Sequence, residues 1–176
     1  APSAFLVNHS GTYHASTVYL RGFDTGEGQD LEVLADGVPL NETSNAHGHG
    51  YADAHFLIPE LVSAVRITEG PFAPWQSDFA VAGSAEYRLG TSRRGLLASG
   101  EYGMFDHERL LLVWAPPGEH DGTFVGLDVR NDAGYGDNRG STGAALNARW
   151  EGSLSSALKL SVLFAAQLAD WQSAGV

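Results

Sequence analysis

The 176 residues contain no cysteine and a single methionine. The first absence removes disulfide frameworks, thiolate nucleophiles and cysteine zinc sites together, and leaves stability to the burial of apolar surface. Positive charge is scarce as well. Ten Lys and Arg stand against 21 Asp and Glu, and the resulting net charge of -11 repels phosphate backbones and excludes nucleic acid as a partner bound through a basic footprint. No stretch approaches the roughly 18 apolar residues of a spanning helix. The opening Ala1-Pro2-Ser3-Ala4 has neither the basic start nor the apolar centre of a signal peptide. A helical membrane protein is thereby excluded. A β-barrel is not, because its strands need only about 9 to 11 residues of alternating polarity. Catalytic signatures are missing too: there is no Gly-x-Ser-x-Gly elbow, no phosphate-binding loop and no His-Glu-x-x-His helix, so the chain is not expected to be an enzyme.

What is present divides into two textures. Residues 1 to 88 are punctuated by glycine at 11, 22, 26, 28, 37, 48, 50, 70 and 83 and by proline at 39, 59, 71 and 74, which predicts short strands between structured loops. Val18–Arg21 and Leu31–Leu34 are strand candidates, and Asp36-Gly37 before Val38-Pro39-Leu40 is a turn signal. Pro59 and Glu60 suit the first turn of a short helix, before a further strand over Val65–Thr68. From residue 89 the pattern becomes long runs of period two, at 94–103, 107–115, 123–130, 143–151 and 157–167. In the fourth run Ala144, Leu146, Ala148 and Trp150 share a face opposite Gly143, Ala145, Asn147, Arg149 and Glu151; in the fifth, Leu158, Leu160, Val162, Phe164 and Ala166 line one side, and Lys159, Ser161 and Gln167 share the other with Ala157, Leu163 and Ala165. Tyr102, Trp114, Trp150 and Trp171 lie near the ends of runs, where a membrane barrel carries its aromatic girdle. A soluble sandwich alternates in the same way, with its apolar face turned inward.

Motif order separates these readings. Val18-Tyr19-Leu20-Arg21-Gly22-Phe23, the hairpin Val33 to Asn41 containing Asp36-Gly37-Val38-Pro39, the stretch His47 to Phe72 ending in Gly70-Pro71-Phe72, and Ser77 to Ala85 resemble, in the expected sequence, the plug domain of TonB-dependent outer-membrane receptors. Gln76-Ser77 and Ala82 depart from the glycine-richer pattern common in that family. The resemblance implies an α+β plug, a small mixed sheet with short helices, over residues 1–88. Antiparallel β-strands of an incomplete transmembrane β-barrel, about five of them, follow over 89–176. It implies a fragment of a receptor for energy-coupled uptake of a scarce nutrient of the iron chelate, cobalamin or glycan class, in the outer membrane of a Gram-negative bacterium. The implied partners are a TonB-type energy-transducing protein, met through an N-terminal segment outside this chain, outer-membrane lipid, and a small-molecule or glycan substrate; no cofactor is implied.

Within that frame the loops at 47–51 and 72–78 are the expected substrate contacts, through His47, His49, Tyr51, Phe72 and Trp75. Polar contacts between plug and barrel are expected from Arg21, Asp24 and Asp36 on one side and Arg130, Arg149 and Glu151 on the other. His47, His49, Asp53 and His55 are residue types that hold zinc at short spacing. In a glycine-rich loop the same side chains equally bond backbone groups, and no metal is assigned. His9 and His14 read as satisfied structural histidines, His107 and His120 as loop or strand-end residues. The sequons Asn8-His9-Ser10 and Asn41-Glu42-Thr43 are short enough to arise by chance. The competing class is a soluble β-rich carbohydrate- or ligand-binding module with Trp75, Trp114 and Trp150 as stacking platforms. It would bury Leu158, Leu160, Val162 and Phe164 under a second sheet, whereas a barrel turns them outward.

Overall fold

The computed structural model describes residues 4–8, 12–118 and 122–173; His9, Ser10 and His120 lie outside them. Two compact units emerge, Ala1–His55 with Ala64–Leu89, and Phe56–Ser63 with Gly90–Val176.

The first unit carries two small sheets. In one, β1 (Ala4–Val7), β2 (Thr17–Leu20) and β3 (Phe23–Asp24) are joined antiparallel. The other has the order β5-β4-β7-β6, from β4 (Leu31–Ala35), β5 (Val38–Pro39), β6 (Val62–Glu69) and β7 (Gly83–Leu89). Turn chemistry sets both hairpins. Arg21-Gly22 and Asp36-Gly37 each place two consecutive residues at positive φ (52° and 86°; 48° and 79°), the backbone a type I′ turn demands between twisted strands. Asp36 is then locked from both ends: its N–H donates to the Tyr87 carbonyl at 2.9 Å, and its Oδ1 accepts from the Leu89 N–H at 3.1 Å. β4 pairs parallel with β7, Leu31 opposite Gly83 through Ala35 opposite Tyr87. A parallel strand is covered on both faces, and Leu31, Glu32, Val33 and Ala35 are all buried. The carboxylate of Glu32 is satisfied by the Ser77 N–H at 3.0 Å. The core gathers Leu20, Leu31, Val33, Ala52, Ala82 and Ala85.

The second unit is one antiparallel sheet in the order β12-β11-β10-β9-β8. Its strands are β8 (Gly95–Tyr102), β9 (Glu108–Ala115), β10 (Phe124–Asp132), β11 (Ser141–Ser153) and β12 (Lys159–Trp171). All five periodic runs of the sequence become strands. Registers align three successive cross-strand rows: Leu96–Trp114–Val125–Ala148–Phe164, Ala98–Leu112–Leu127–Leu146–Ala166 and Gly100–Leu110–Val129–Ala144–Leu168. Every residue in them is apolar. This face is open, with Leu127 36% and Phe164 54% exposed, while Phe124 and Asp128 on the reverse are 2% and 3% exposed. Leu158, Leu160 and Val162 are likewise exposed. Among the aromatic strand ends Tyr102, Trp114 and Trp150 share the apolar face. Trp171 pairs with Ser141 and so falls on the opposite one, because strand parity rather than proximity to an end decides the side.

Against the reverse face packs the segment 56–63, whose helical content is one 3-10 turn, Pro59–Leu61. Gly126 makes room for it: a Cβ there would lie 2.6 Å from Leu61 Cδ1 and 3.2 Å from Ile58 Cδ1. The fully buried Asn147 side chain then takes both backbone groups the turn leaves over, accepting from Ile58 N–H and donating to the Phe56 carbonyl, each at 2.9 Å. Among the described residues no helix is long and apolar enough to cross a membrane.

Candidate functional site

In the first unit, the loops following β3 and β5 are interlocked by residues with no steric or hydrogen-bonding substitute. Gly28, at φ 113°, would drive a Cβ to 2.6 Å from the Gly50 carbonyl oxygen and 2.7 Å from Ala52 Cβ. Asn41 is the hub of the crossing. Its Nδ2 lies 2.9, 2.9 and 3.0 Å from the carbonyl oxygens of Gly28, Leu31 and Gly50, which share its two N–H donors, and its oxygen accepts from Val33 N–H at 2.8 Å. The sequon asparagine is therefore spent internally.

On this scaffold stand His14, Glu27, His47 and Tyr51. His14 Nδ1 lies 3.2 Å from Glu27 Oε1, and His47 Nδ1 3.8 Å from Glu27 Oε2. The two imidazoles meet edge to face with centroids 4.6 Å apart, and the Tyr51 ring stands 5.7 and 5.5 Å from them. Tyr51 Oη accepts from Ala15 N–H at 3.0 Å, and burial pushes its phenol above the usual tyrosine value, so it is a neutral wall.

Of the expected substrate contacts, His47 and Tyr51 are thus brought together. His49 points elsewhere, its Nδ1 2.7 Å from the Thr43 carbonyl oxygen. Asp53 and His55 form their own pair at 2.6 Å, and neither they nor His49 join His47 in the group that gathers His14, Glu27 and His47. Phe72 and Trp75 stand 85% and 75% exposed. The residues expected to bridge plug and barrel have partners within their own units: Arg21 with Glu69 at 3.4 Å, Asp24 with Gly26 N–H at 3.1 Å, Arg130 with Asp128 at 2.8 Å, and Arg149 with Glu151 at 3.7 Å. Arg149 also covers the Phe124 ring at 5.3 Å.

The polar network of the second unit centres on Arg109 and Asp128, which no sequence spacing points to, and takes in Arg130, one of the expected contact residues. Arg109, with its side chain 10% exposed, holds Glu60 through two 2.7 Å bonds, contacts Glu101 at 3.3 Å and bonds Asp128. Asp128 is bound on its other side by Arg130. The guanidinium bridging to Glu60 holds that carboxyl below the usual glutamate value. Glu60 is distant in sequence from its partner, and no local spacing announces such a pair. The one available signal was a carboxylate beside Pro59 in a segment otherwise apolar.

A small mixed-sheet domain followed by an unclosed run of antiparallel strands, with one open apolar face and a reverse face that mixes buried apolar side chains with Arg109, Asp128 and Asn147, is a plug with the start of a β-barrel. Residues 1–84 match the family model for the TonB-dependent Receptor Plug Domain. The fold is similar, over 97% of the chain, to that of the pyoverdine outer membrane receptor FpvA from Pseudomonas aeruginosa PAO1 bound to pyoverdine, at 15% identity and a TM-score of 0.67. FpvAI in its complex with pyocin S2 is similar over 97% of the chain at 14% identity and a TM-score of 0.65. The chain spans 25% and 22% of those two proteins. No curated protein matches it.

Proposed function

We propose that the protein acts in the outer membrane of a Gram-negative bacterium as a receptor for energy-coupled uptake of a scarce nutrient of the iron chelate, cobalamin or glycan class. The reading is carried by one observation: three cross-strand rows of purely apolar residues face outward while the reverse face holds Arg109, Asp128, Asn147 and Arg149. An open face of apolar rows suits a strand wall against lipid, whereas a soluble sandwich covers such a face with a second sheet; the reverse face also buries Leu111, Val113 and Phe124. A transporter rather than an enzyme suits a chain without a catalytic constellation. The loops carrying His47, His49 and Tyr51 and the exposed Phe72 and Trp75 are the substrate contacts in this reading. Arg21, Asp24 and Asp36 on the plug and Arg130, Arg149 and Glu151 on the strands are its polar facing sets. A TonB-type protein supplies the energy.

Cell fractionation with detection of the peptide 67–79, combined with uptake assays in cells with and without the energy-transducing partner, tests this. Recovery from the outer membrane together with partner-dependent uptake is the expected result. Recovery as a soluble protein would replace it by the ligand-binding module.

A further inference from the structure

We propose that His14, Glu27 and His47 form a binding site for a first-row divalent metal ion, Zn2+ or a neighbour such as Co2+ or Ni2+. The donor set sits within 4.8 Å, one ligand atom from each residue. Two imidazole nitrogens and a carboxylate oxygen suit borderline cations, whereas Ca2+ and Mg2+ take oxygen-rich sites. Ligand atoms around a tetrahedral or octahedral ion at about 2.0 to 2.2 Å stand roughly 3 to 3.5 Å from one another. His14 Nδ1 and Glu27 Oε1 already meet that spacing at 3.2 Å; His47 Nδ1 stands 3.8 Å from the other carboxylate oxygen, Oε2, and with the three ligand atoms within 4.8 Å of one another a movement of about an ångström by His47 brings the set to that spacing. The burial order fits such a movement. The side chains of His14 and Glu27 are 10% and 20% exposed, while that of His47 is 52% exposed and free to swing onto an ion arriving from solvent.

The three ligands come from three separate segments, so what holds them matters. Glu27 is fixed by its own carbonyl, which accepts from Ala52 N–H at 2.8 Å, and by Gly28 wedged against Gly50 and Ala52. His47 is gripped at both backbone ends: its N–H donates to Asn45 Oδ1 at 2.9 Å, and its carbonyl accepts from Gln29 Nε2 at 3.2 Å. Tyr51 closes the side behind both imidazoles without offering a ligand, its oxygen being engaged by Ala15 N–H. Backbone positions set by neighbours rather than by the ion are the mark of a site formed before its ligand arrives. Three protein ligands leave at least one position open, so the ion can carry a ligand of its own. The chain's net charge of -11 raises the local concentration of cations.

The test uses the intact protein in detergent, stripped with chelator and titrated with Co2+, whose visible absorption reports imidazole and carboxylate coordination, then with Zn2+ as competitor. Saturation at one Co2+ per chain, displaced by Zn2+, is expected. Affinity should fall about tenfold or more in Glu27→Gln and in His47→Gln. The second variant alters a half-exposed side chain, so its folding is not in question. His49→Gln should bind like the parent. Absence of saturable binding below roughly millimolar metal, or parental affinity in both His47→Gln and Glu27→Gln, would overturn the site. The proposal stands on the geometry of the first unit alone, so its failure leaves the receptor reading to the uptake assay.

Discussion

The two units solve the same problem by opposite means. In the strand unit, geometry follows from repetition: side chains alternate every residue, registers align three all-apolar rows, and any one residue is one of many doing the same thing. In the plug unit, geometry depends on singular residues. Gly28 sits where a Cβ would strike Gly50 and Ala52, and the single side chain of Asn41 ties together three segments of backbone. A repetitive element tolerates change and reveals itself by period. A singular one tolerates little, and its function is assembled from segments distant in sequence. The segment 56–63 is instructive because it lies inside the stretch that matches the plug family yet packs with the strands.

Substitutions at matched sites would sharpen or break this contrast. The largest effect is expected in the strand unit, at a non-repetitive feature: Arg109→Ala should cost about 3 kcal/mol or more, because it leaves Asp128 buried with one guanidinium partner fewer. Urea unfolding of the intact protein measures it, and a loss below about 1 kcal/mol would place the network among ordinary surface pairs. Gly28→Val should cost about 3 kcal/mol through its left-handed backbone and the contact with Gly50 and Ala52. Protease susceptibility confined to residues 25–52 is the expected readout, and unchanged resistance would remove the interlock. Leu127→Arg, in the middle apolar row, should cost about 2 kcal/mol or more if that face meets lipid. The same substitution is nearly neutral if the face meets water, so membrane assembly assays separate the two.

The smallest effect is a pH dependence. Glu60 in the folded protein has its carboxyl below the ordinary value near 4.5, so the unfolded chain binds a proton more readily than the folded one. The contribution of Glu60 is then complete above the ordinary value and is lost as pH falls from there through the lower folded value. Glu60→Gln should flatten this part of the stability profile. An unchanged acid limb in that variant would mean the pair with Arg109 contributes nothing in solution.

Most of the strand unit was legible from residues alone. All five runs became strands, and the faces assigned to Ala144–Trp150 and Leu160–Phe164 are the ones observed, since pleat parity is a property of consecutive residues. The turn at Asp36-Gly37 was equally readable, because positive φ at two successive positions selects its residues locally, whereas Arg21, read as the end of a strand, is the first residue of the other turn. Trp171 shows the limit of such reasoning: closeness to a strand end suggested the apolar face, and register against Ser141 set it on the other.

The candidate sites were legible only in part. His47 and Tyr51 stood out in a glycine-rich loop, but the partners the fold brings to His47 are His14 and Glu27, not His49, Asp53 and His55. Neighbours in sequence on an extended loop point to different sides, whereas chain crossings bring together residues tens of positions apart. The pairing of Glu60 with Arg109, 49 residues away, has the same origin. Period, turn chemistry and charge are sums over local choices, and the linear order of residues contains them. Which carboxylate meets which guanidinium or imidazole depends on loop crossings and strand register, which exist only once the long-range contacts have formed.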